Sequence, residues 1–272
     1  MDTGVCISIE MSFIGPHVAL FARDCLPEIL RSLSSFKSKD YKTALAKALL
    51  EIERILRSEA GKKALAKIHS ELTSKVTSLL DDETEELGDV IGCTACVALV
   101  ADNKIFVANI GDSRCVLCKR GLAISLTQDH KPELEEEKRR IEKAGGHVED
   151  NRVNGVIALS RTLGDFRFKK NTKLSLYEQM ISPYPDIRVE PIEKDCQFFL
   201  VASDGIWDYM TSQHAIEYIR EQIAKYQFNG AGNFKLSNII EKMFDKIMSK
   251  NIEQNTMGSD NMSCILIKFK HH

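Results

Sequence analysis

Three aspartates occur in one kind of setting. They are Asp112 in Ile110-Gly111-Asp112-Ser113-Arg114, Asp204 in Ala202-Ser203-Asp204-Gly205, and Asp260 in Gly258-Ser259-Asp260-Asn261. Each adjoins small residues and an apolar run, which places each carboxylate at a strand end, where it can face a cleft. Hard divalent cations take oxygen ligands presented from such rigid edges, so the chemistry this set points to is Mg²⁺ or Mn²⁺ binding. Asp208 follows Asp204 by four residues within FFLVASDGIWDYM (Phe198–Met210) and shares its helix-entry turn. The alternative for Asp204 is an N-cap, which needs no metal.

The eight cysteines include two pairs, Cys93-x-x-Cys96 and Cys115-x-x-Cys118, with the spacing of a four-thiolate zinc site. Both pairs lie in segments that read as strands, where residues three apart face opposite sides. Neither pair contains the Gly or Pro of a tight knuckle. No zinc is expected, and the thiols read as small, reduced core residues.

The elements that must position these groups change character along the chain. Val5 to Glu10 reads as a short strand broken by Ile14-Gly15-Pro16. His17 to Leu33 reads as a helix that Pro27 kinks or splits. Asp40 caps a second helix carrying Ala44, Leu45, Ala48, Leu49, Ile52 and Leu56, and Lys62 to Leu80 repeats the pattern after Gly61. Asp81 to Glu86 is a solvated acidic loop.

From Val90 the apolar period falls to two. Cys93–Ala101 and Lys104–Ile110 are strands joined by an Asp102-Asn103 hairpin turn, and Ser113–Cys118 and Leu122–Leu126 continue the meander. A charged helix, Pro132 to Ala144, ends at Gly145-Gly146, with short strands at His147–Val148 and Val156–Leu159 after it. Phe166 to Tyr184 has no periodicity and carries Arg167, Lys169, Lys170 and Lys173, which marks a surface excursion. Ile187–Val189 and Phe198–Ala202 are strands, and a helix runs from Ile206 to Ile223. Phe234 to Ile252 is another helix, and Cys264–Phe269 is the last strand. Antiparallel strands with helices before and after them give an α+β sandwich, one domain over 1–272 with a flap-like excursion near 166–184.

Bulk properties exclude several classes. Net charge is −2, with 37 Lys+Arg against 39 Asp+Glu, so neither a nucleic acid nor a membrane surface is an expected partner. No apolar run reaches the roughly 18–20 residues of a membrane span. The first residues lack the pattern of a signal peptide, which gives a cytoplasmic or nuclear default.

The motifs form a series. Gly92-Cys93-Thr94-Ala95, VANIGDSR (Val107–Arg114), LTQDHKP (Leu126–Pro132), RIEKAGG (Arg140–Gly146), RVNG…LSRTLGDF (Arg152–Phe166), PDIRV (Pro185–Val189), VASDGIWDYM (Val201–Met210) and SDNMSCILIKF (Ser259–Phe269) stand in order. The series resembles the metal-dependent Ser/Thr protein phosphatases of the phosphatase 2C (PPM) type, over roughly Gly15 to Phe269. The resemblance implies an αββα sandwich of two antiparallel sheets flanked by helices. It also implies two divalent metals that bridge a water, which attacks phosphoserine or phosphothreonine. Two ions would lower that water's pKa and neutralise the phosphoryl oxygens. By motif, Asp204 and Asp260 match ligands of one metal, Asp112 and Asp208 match positions of a weaker third metal, and 166–184 matches the variable flap.

One motif departs. Where the resembled family has Asp-Gly-His-Gly-Gly, alignment through Gly15-Pro16 gives Met11-Ser12-Phe13-Ile14-Gly15. Met11 stands for the Asp that bridges both metals, and a thioether is a poor ligand for Mg²⁺ or Mn²⁺. Phe13 stands for the His that acts as general acid and has no proton to give. Glu10 neighbours Met11 but belongs to the opposite strand face. The ten residues before Met11 supply neither the phosphate-binding Arg nor the Glu-Asp pair of the family's first two strands. At most one well-formed Mg²⁺ or Mn²⁺ site is expected. The reading is a pseudophosphatase that acts by binding a phosphoprotein or regulatory partner. Its alternatives are an active Mg²⁺/Mn²⁺-dependent Ser/Thr phosphatase and a truncated or alternatively spliced product of one.

Overall fold

The computed structural model describes residues 4–11, 16–73, 87–228, 235–253 and 261–270. In chain order the elements are β1 (Gly4–Met11), α1 (His17–Ser32), α2 (Ser34–Lys37), α3 (Tyr41–Leu56), α4 (Glu59–Thr73), α5 (Leu87–Val90), β2 (Gly92–Ala101), β3 (Lys104–Ile110), β4 (Arg114–Lys119), β5 (Leu122–Ser125), α6 (Glu135–Lys143), β6 (Val148–Glu149), β7 (Arg152–Val153), β8 (Leu163–Gly164), a 3₁₀ turn (Phe166–Phe168), β9 (Asp186–Pro191), β10 (Cys196–Ala202), α7 (Asp204–Trp207), α8 (Ser212–Phe228), α9 (Ser237–Glu253) and β11 (Cys264–Lys268).

Two antiparallel sheets form the centre. One has the order β1-β2-β3-β9, with β8 also on β2, and the other has the order β11-β10-β4-β5. Alternation along each strand divides the apolar residues among three cores. Along β2, Ala95, Val97 and Leu99 pack on α1, α3 and α4. Cys96 and Ala98 face the second sheet instead, meeting Cys115, Leu117, Phe199 and Val201. The outer face of that sheet, with Val116, Phe198 and Leu200, is covered by Ile216 and Ile219 of α8 and Met243 and Ile247 of α9. The result is four layers, αββα.

Local chemistry explains most boundaries. Asp40 accepts a hydrogen bond from the Thr43 amide at 3.2 Å and caps α3. Asp102 and Asn103 both have positive φ, 48° and 60°, as a two-residue hairpin turn requires.

Several sequence expectations are corrected. α1 runs unbroken through Pro27, with Leu26 and Leu30 on either side of it anchored in the core. Gly61 lies inside α4, where a Cβ would stand 2.1 Å from the Ile55 carbonyl oxygen, so glycine permits the tight α3–α4 corner. The expected helical residues 74–80 and the acidic loop 81–86 lie outside the described residues. Val156–Leu159 is not a strand; the Asn154-Gly155 turn leaves only a single bridge between Val153 and Ile157. The helix after Asp204 ends at Trp207, and Thr211 then caps a new one by accepting from the His214 amide at 3.2 Å. Lys169, expected at the surface, is buried.

Candidate active site

Neighbouring strands bring the candidate carboxylates to one end of the sandwich. β10 pairs with β4 through Ala202 and Arg114, so Asp204, just past the end of β10, and Asp112, just before β4, leave the same sheet edge. Ser203, not Asp204, holds the N-cap position of α7, and no side-chain cap bond is made there. The Ser203 hydroxyl instead donates to the Asn261 carbonyl at 3.1 Å, and its amide bonds the Ser263 carbonyl at 3.0 Å. The segment that follows Asp260 in sequence is thereby tied to the one that precedes Asp204. Asp260 and Phe13 themselves lie outside the described residues. Met11 ends β1 in register with Cys93, and Glu10 is in register with Thr94.

Two cations organise the cluster, and neither was singled out as such from the sequence. The Lys131 ammonium contacts the Asp112 carboxylate directly. Burial opposes the charge on Lys131, but Asp112, Asp129 and Asp204 outweigh it and hold its pKa up. Burial likewise pushes Asp112 up, and Lys131 offsets part of that. Arg114 grips Asp129 bidentately through one edge of its guanidinium, Nε to Oδ1 at 2.9 Å and Nη2 to Oδ2 at 2.7 Å. It also lies 5.1 Å from the centroid of the Trp207 ring and donates to Ser212 Oγ at 3.2 Å. The bond to Asp129 raises its pKa most, burial opposes it, and the charges of Asp112 and Asp208 add to the rise. Asp112, Asp204 and Asp208 thus share one electrostatic environment. Lys131 was legible only as part of LTQDHKP; its pairing needs the fold.

A second network fixes these loops. The Gly111 amide donates to His130 Nδ1 at 3.0 Å, and the His130 amide donates to the Gly111 carbonyl at 3.0 Å. Gly111 has φ 99°, and a Cβ there would meet Thr94 Cγ2 at 2.4 Å, so the turn before Asp112 requires glycine. With Nδ1 accepting, His130 Nε2 donates to Asp186 at 3.1 Å. Asp186 is also held by Arg161 Nη1 at 2.7 Å, and Arg161 in turn reaches Glu137 on α6 at 2.6 Å. His130, Arg161 and Arg114 are therefore bracing residues.

This network has a pH consequence. The hydrogen bond from His130, with Arg161 adding charge, holds Asp186 well below the usual carboxylate range. Burial raises Glu137, but bonding to Arg161 and the charge of Arg140 outweigh it and leave Glu137 lowered. A carboxyl whose pKa is lowered by folding stabilises the fold fully above its unfolded value, about 4. That contribution is lost as pH falls through the folded value. Thermal midpoints measured from pH 7 to pH 3 should therefore fall below about pH 4, and Asp186→Asn should show a shallower acid slope than the unaltered chain. Equal slopes would remove Asp186 from the acid response.

The described residues, which do not include Asp260, show how the remaining candidate donors are engaged. Among the described residues no three His, Cys, Asp or Glu side chains form a group able to hold a metal ion, and Asp112 spends its charge on Lys131. The cysteine pairs diverge as the strand reading requires. Cys93 faces the first helical layer, Cys96 and Cys115 lie between the sheets, and Cys118 faces the second helical layer. Asp165 is also buried, at φ 50°, and its Oδ2 makes no hydrogen bond. A Cβ on Gly92 would fall 1.8 Å from that oxygen, so glycine in the Gly92-Cys93-Thr94-Ala95 motif makes room for Asp165.

A four-layer αββα sandwich with strand-end aspartates at one edge defines a class, and comparison with known proteins places the chain within it. Residues 12–256 match the protein phosphatase 2C family, and the chain belongs to that family. It is 41% identical over 257 residues to protein phosphatase 2C homolog 2 of Hypocrea jecorina, covering 94% of this chain and 52% of that protein. It is 35% identical over 279 residues to probable protein phosphatase 2C 21 of Arabidopsis thaliana, covering 94% of this chain and 76% of that protein. The chain thus spans about half the length of the fungal relative. Among solved structures, a serine-threonine phosphatase 2C from Toxoplasma gondii superposes with a TM-score of 0.71 at 19% identity, covering 99% of this chain and 85% of that one. A C. elegans sex determining protein superposes with a TM-score of 0.65 at 22% identity, covering 98% of this chain and 56% of that one. These two structures carry the fold.

Proposed function

We propose that this domain is a pseudophosphatase, which keeps the phosphatase 2C fold and acts by binding a phosphoprotein or regulatory partner. The reading is supported by the motif alignment through Gly15-Pro16, which sets Met11, the last residue of β1, against the family's bridging carboxylate. Two cations held close together repel each other strongly unless anions lie between them, and a thioether supplies no charge. Asp204 and Asp260 remain to hold a single Mg²⁺ or Mn²⁺ weakly, with water completing the shell. Calorimetric titration with Mn²⁺ should give at most one weak site, and Asp204→Ala should abolish it. Two sites, or binding indifferent to Asp204→Ala, would contradict the proposal.

A second reading is an active Mg²⁺/Mn²⁺-dependent phosphatase that hydrolyses phosphoserine or phosphothreonine through a metal-activated water. The gathering of Asp112, Asp204 and Asp208 favours it, as do the names of the relatives, which are protein phosphatases 2C.

A further inference from the structure

Of Asp112, Asp129, Asp204 and Asp208, only Asp112 is buried, and its carboxylate is in contact with the Lys131 ammonium. We propose that Lys131 is a built-in competitor of divalent cations: its ammonium holds Asp112 against Mg²⁺ or Mn²⁺ and so sets how tightly this end of the sandwich binds metal. The inference holds under either reading of the function.

The chain presents Lys131 to Asp112 from a clamped loop. His130, the residue before Lys131, makes two hydrogen bonds with Gly111, the residue before Asp112, one through its amide and one through its ring. The far nitrogen of that ring is held by Asp186 at 3.1 Å. The Asn109 side-chain amide adds a second tie, donating to the Gly111 carbonyl at 3.0 Å and to the Gln128 carbonyl at 3.2 Å. Pro132, the residue after Lys131, is buried, and a proline restricts the backbone of the residue before it. The ammonium is thus positioned by contacts that do not depend on the ion pair itself, which spares the pair much of the ordering cost of a free surface salt bridge.

Charge then decides what Asp112 can bind. Its side chain is 5% exposed and that of Lys131 33%. Burial opposes the charge on each, and each supports the other, with Asp129 and Asp204 adding to the support of Lys131. Arg114 neutralises Asp129 in the same way. Hard cations choose carboxylates for their charge. A divalent ion that takes an oxygen of Asp112 must either drive this ammonium off or sit beside it, and like charges so close in a part-buried site repel strongly.

The test is calorimetric titration of the full chain with Mn²⁺. Lys131→Gln removes the charge but keeps an N–H donor for Asp112, and it should tighten Mn²⁺ binding at least about tenfold. Lys131→Gln/Asp112→Asn should lose that gain, and Lys131→Arg, which keeps the charge, should bind as the unaltered chain does. Lys131→Met repeats the first comparison with an apolar side chain, and thermal melts show each protein folded. In those melts Mn²⁺ should raise the midpoint of Lys131→Gln by more than that of the unaltered chain. Affinity unchanged in both Lys131→Gln and Lys131→Met would overturn the proposal, as would a gain that survives Asp112→Asn or appears in Lys131→Arg. The readout is a difference between variants, so it is separate from the number of sites in the unaltered chain, on which the pseudophosphatase reading is tested.

Discussion

Glu137→Ala is expected to cost about 3–5 kcal/mol of unfolding free energy, because it strands two buried guanidinium groups. Glu137 accepts from Arg161 Nη2 at 2.6 Å and from Arg140 Nη1 at 2.7 Å, and all three side chains are almost wholly buried. Arg140 also donates to the carbonyls of Ser160 at 2.6 Å and Gln179 at 3.1 Å, and Arg161 to that of Tyr184 at 3.1 Å. One carboxylate on α6 therefore supports both ends of the flap and the Asp186–His130 contact behind the Asp112 turn. Without it, two like charges remain in low dielectric, with backbone carbonyls around both and the Asp186 carboxylate left on Arg161 alone. Urea unfolding should show the loss as a lower midpoint. Glu137→Leu combined with Arg161→Met should cost less than the sum of the single changes, since removing both partners leaves fewer charges stranded. A loss below about 1 kcal/mol for Glu137→Ala would mean that the pair behaves like a surface ion pair.

Glu53→Ala is expected to have an effect of similar size at the opposite side of the first sheet. Glu53 and Lys169 have fully buried side chains, 3.0 Å apart. Glu53 also accepts from the Gly164 amide at 2.9 Å and from Arg57 at 3.3 Å. Burial already lowers the pKa of Lys169. Removing its partner leaves an ammonium with no carboxylate in contact or forces it to lose its proton, and either route costs about 3–5 kcal/mol. For a chain of this size that corresponds to a fall in thermal midpoint on the order of 10 °C. Glu53→Leu with Lys169→Met, which removes both charges and keeps the volume, should recover most of the loss. If the double variant melts as low as Glu53→Ala, packing around α3 rather than charge accounts for the effect.

These two carboxylates show where sequence reading ends. Strands β2, β3, β4 and β10 were legible because each is a short, largely apolar run bounded by turn residues, buried on both faces with each face meeting a different layer. The Asp102-Asn103 turn and the Asp40 cap were legible because their chemistry is local. The gathering of Asp112 and Asp204 was visible only through the order of motifs, since β4 and β10 are far apart in the chain and meet by pairing. The long-range salt bridges of Lys131, Lys169 and Glu137 were hidden for the same reason. Lys131 read only as part of the LTQDHKP motif, Lys169 as part of a basic surface cluster, and Glu137 as one of many charges on a charged helix. Glu53 did leave a trace, because it falls on the apolar stripe of α3 beside Leu49, Ile52 and Leu56. Pro27 and Gly61 misled because local propensity was overridden, at Pro27 by helix packing and at Gly61 by a corner too tight for any Cβ.

The central claim is that the fold is kept and the dinuclear catalyst is not. It is tested most directly by hydrolysis of a phosphothreonine peptide with Mn²⁺ titrated, with Asp204→Asn as the background control and thermal melts showing both proteins folded. The expected result is turnover no higher than that of Asp204→Asn at any Mn²⁺ concentration. Metal-dependent turnover clearly above that control would contradict the claim and require a catalyst assembled without a carboxylate at Met11.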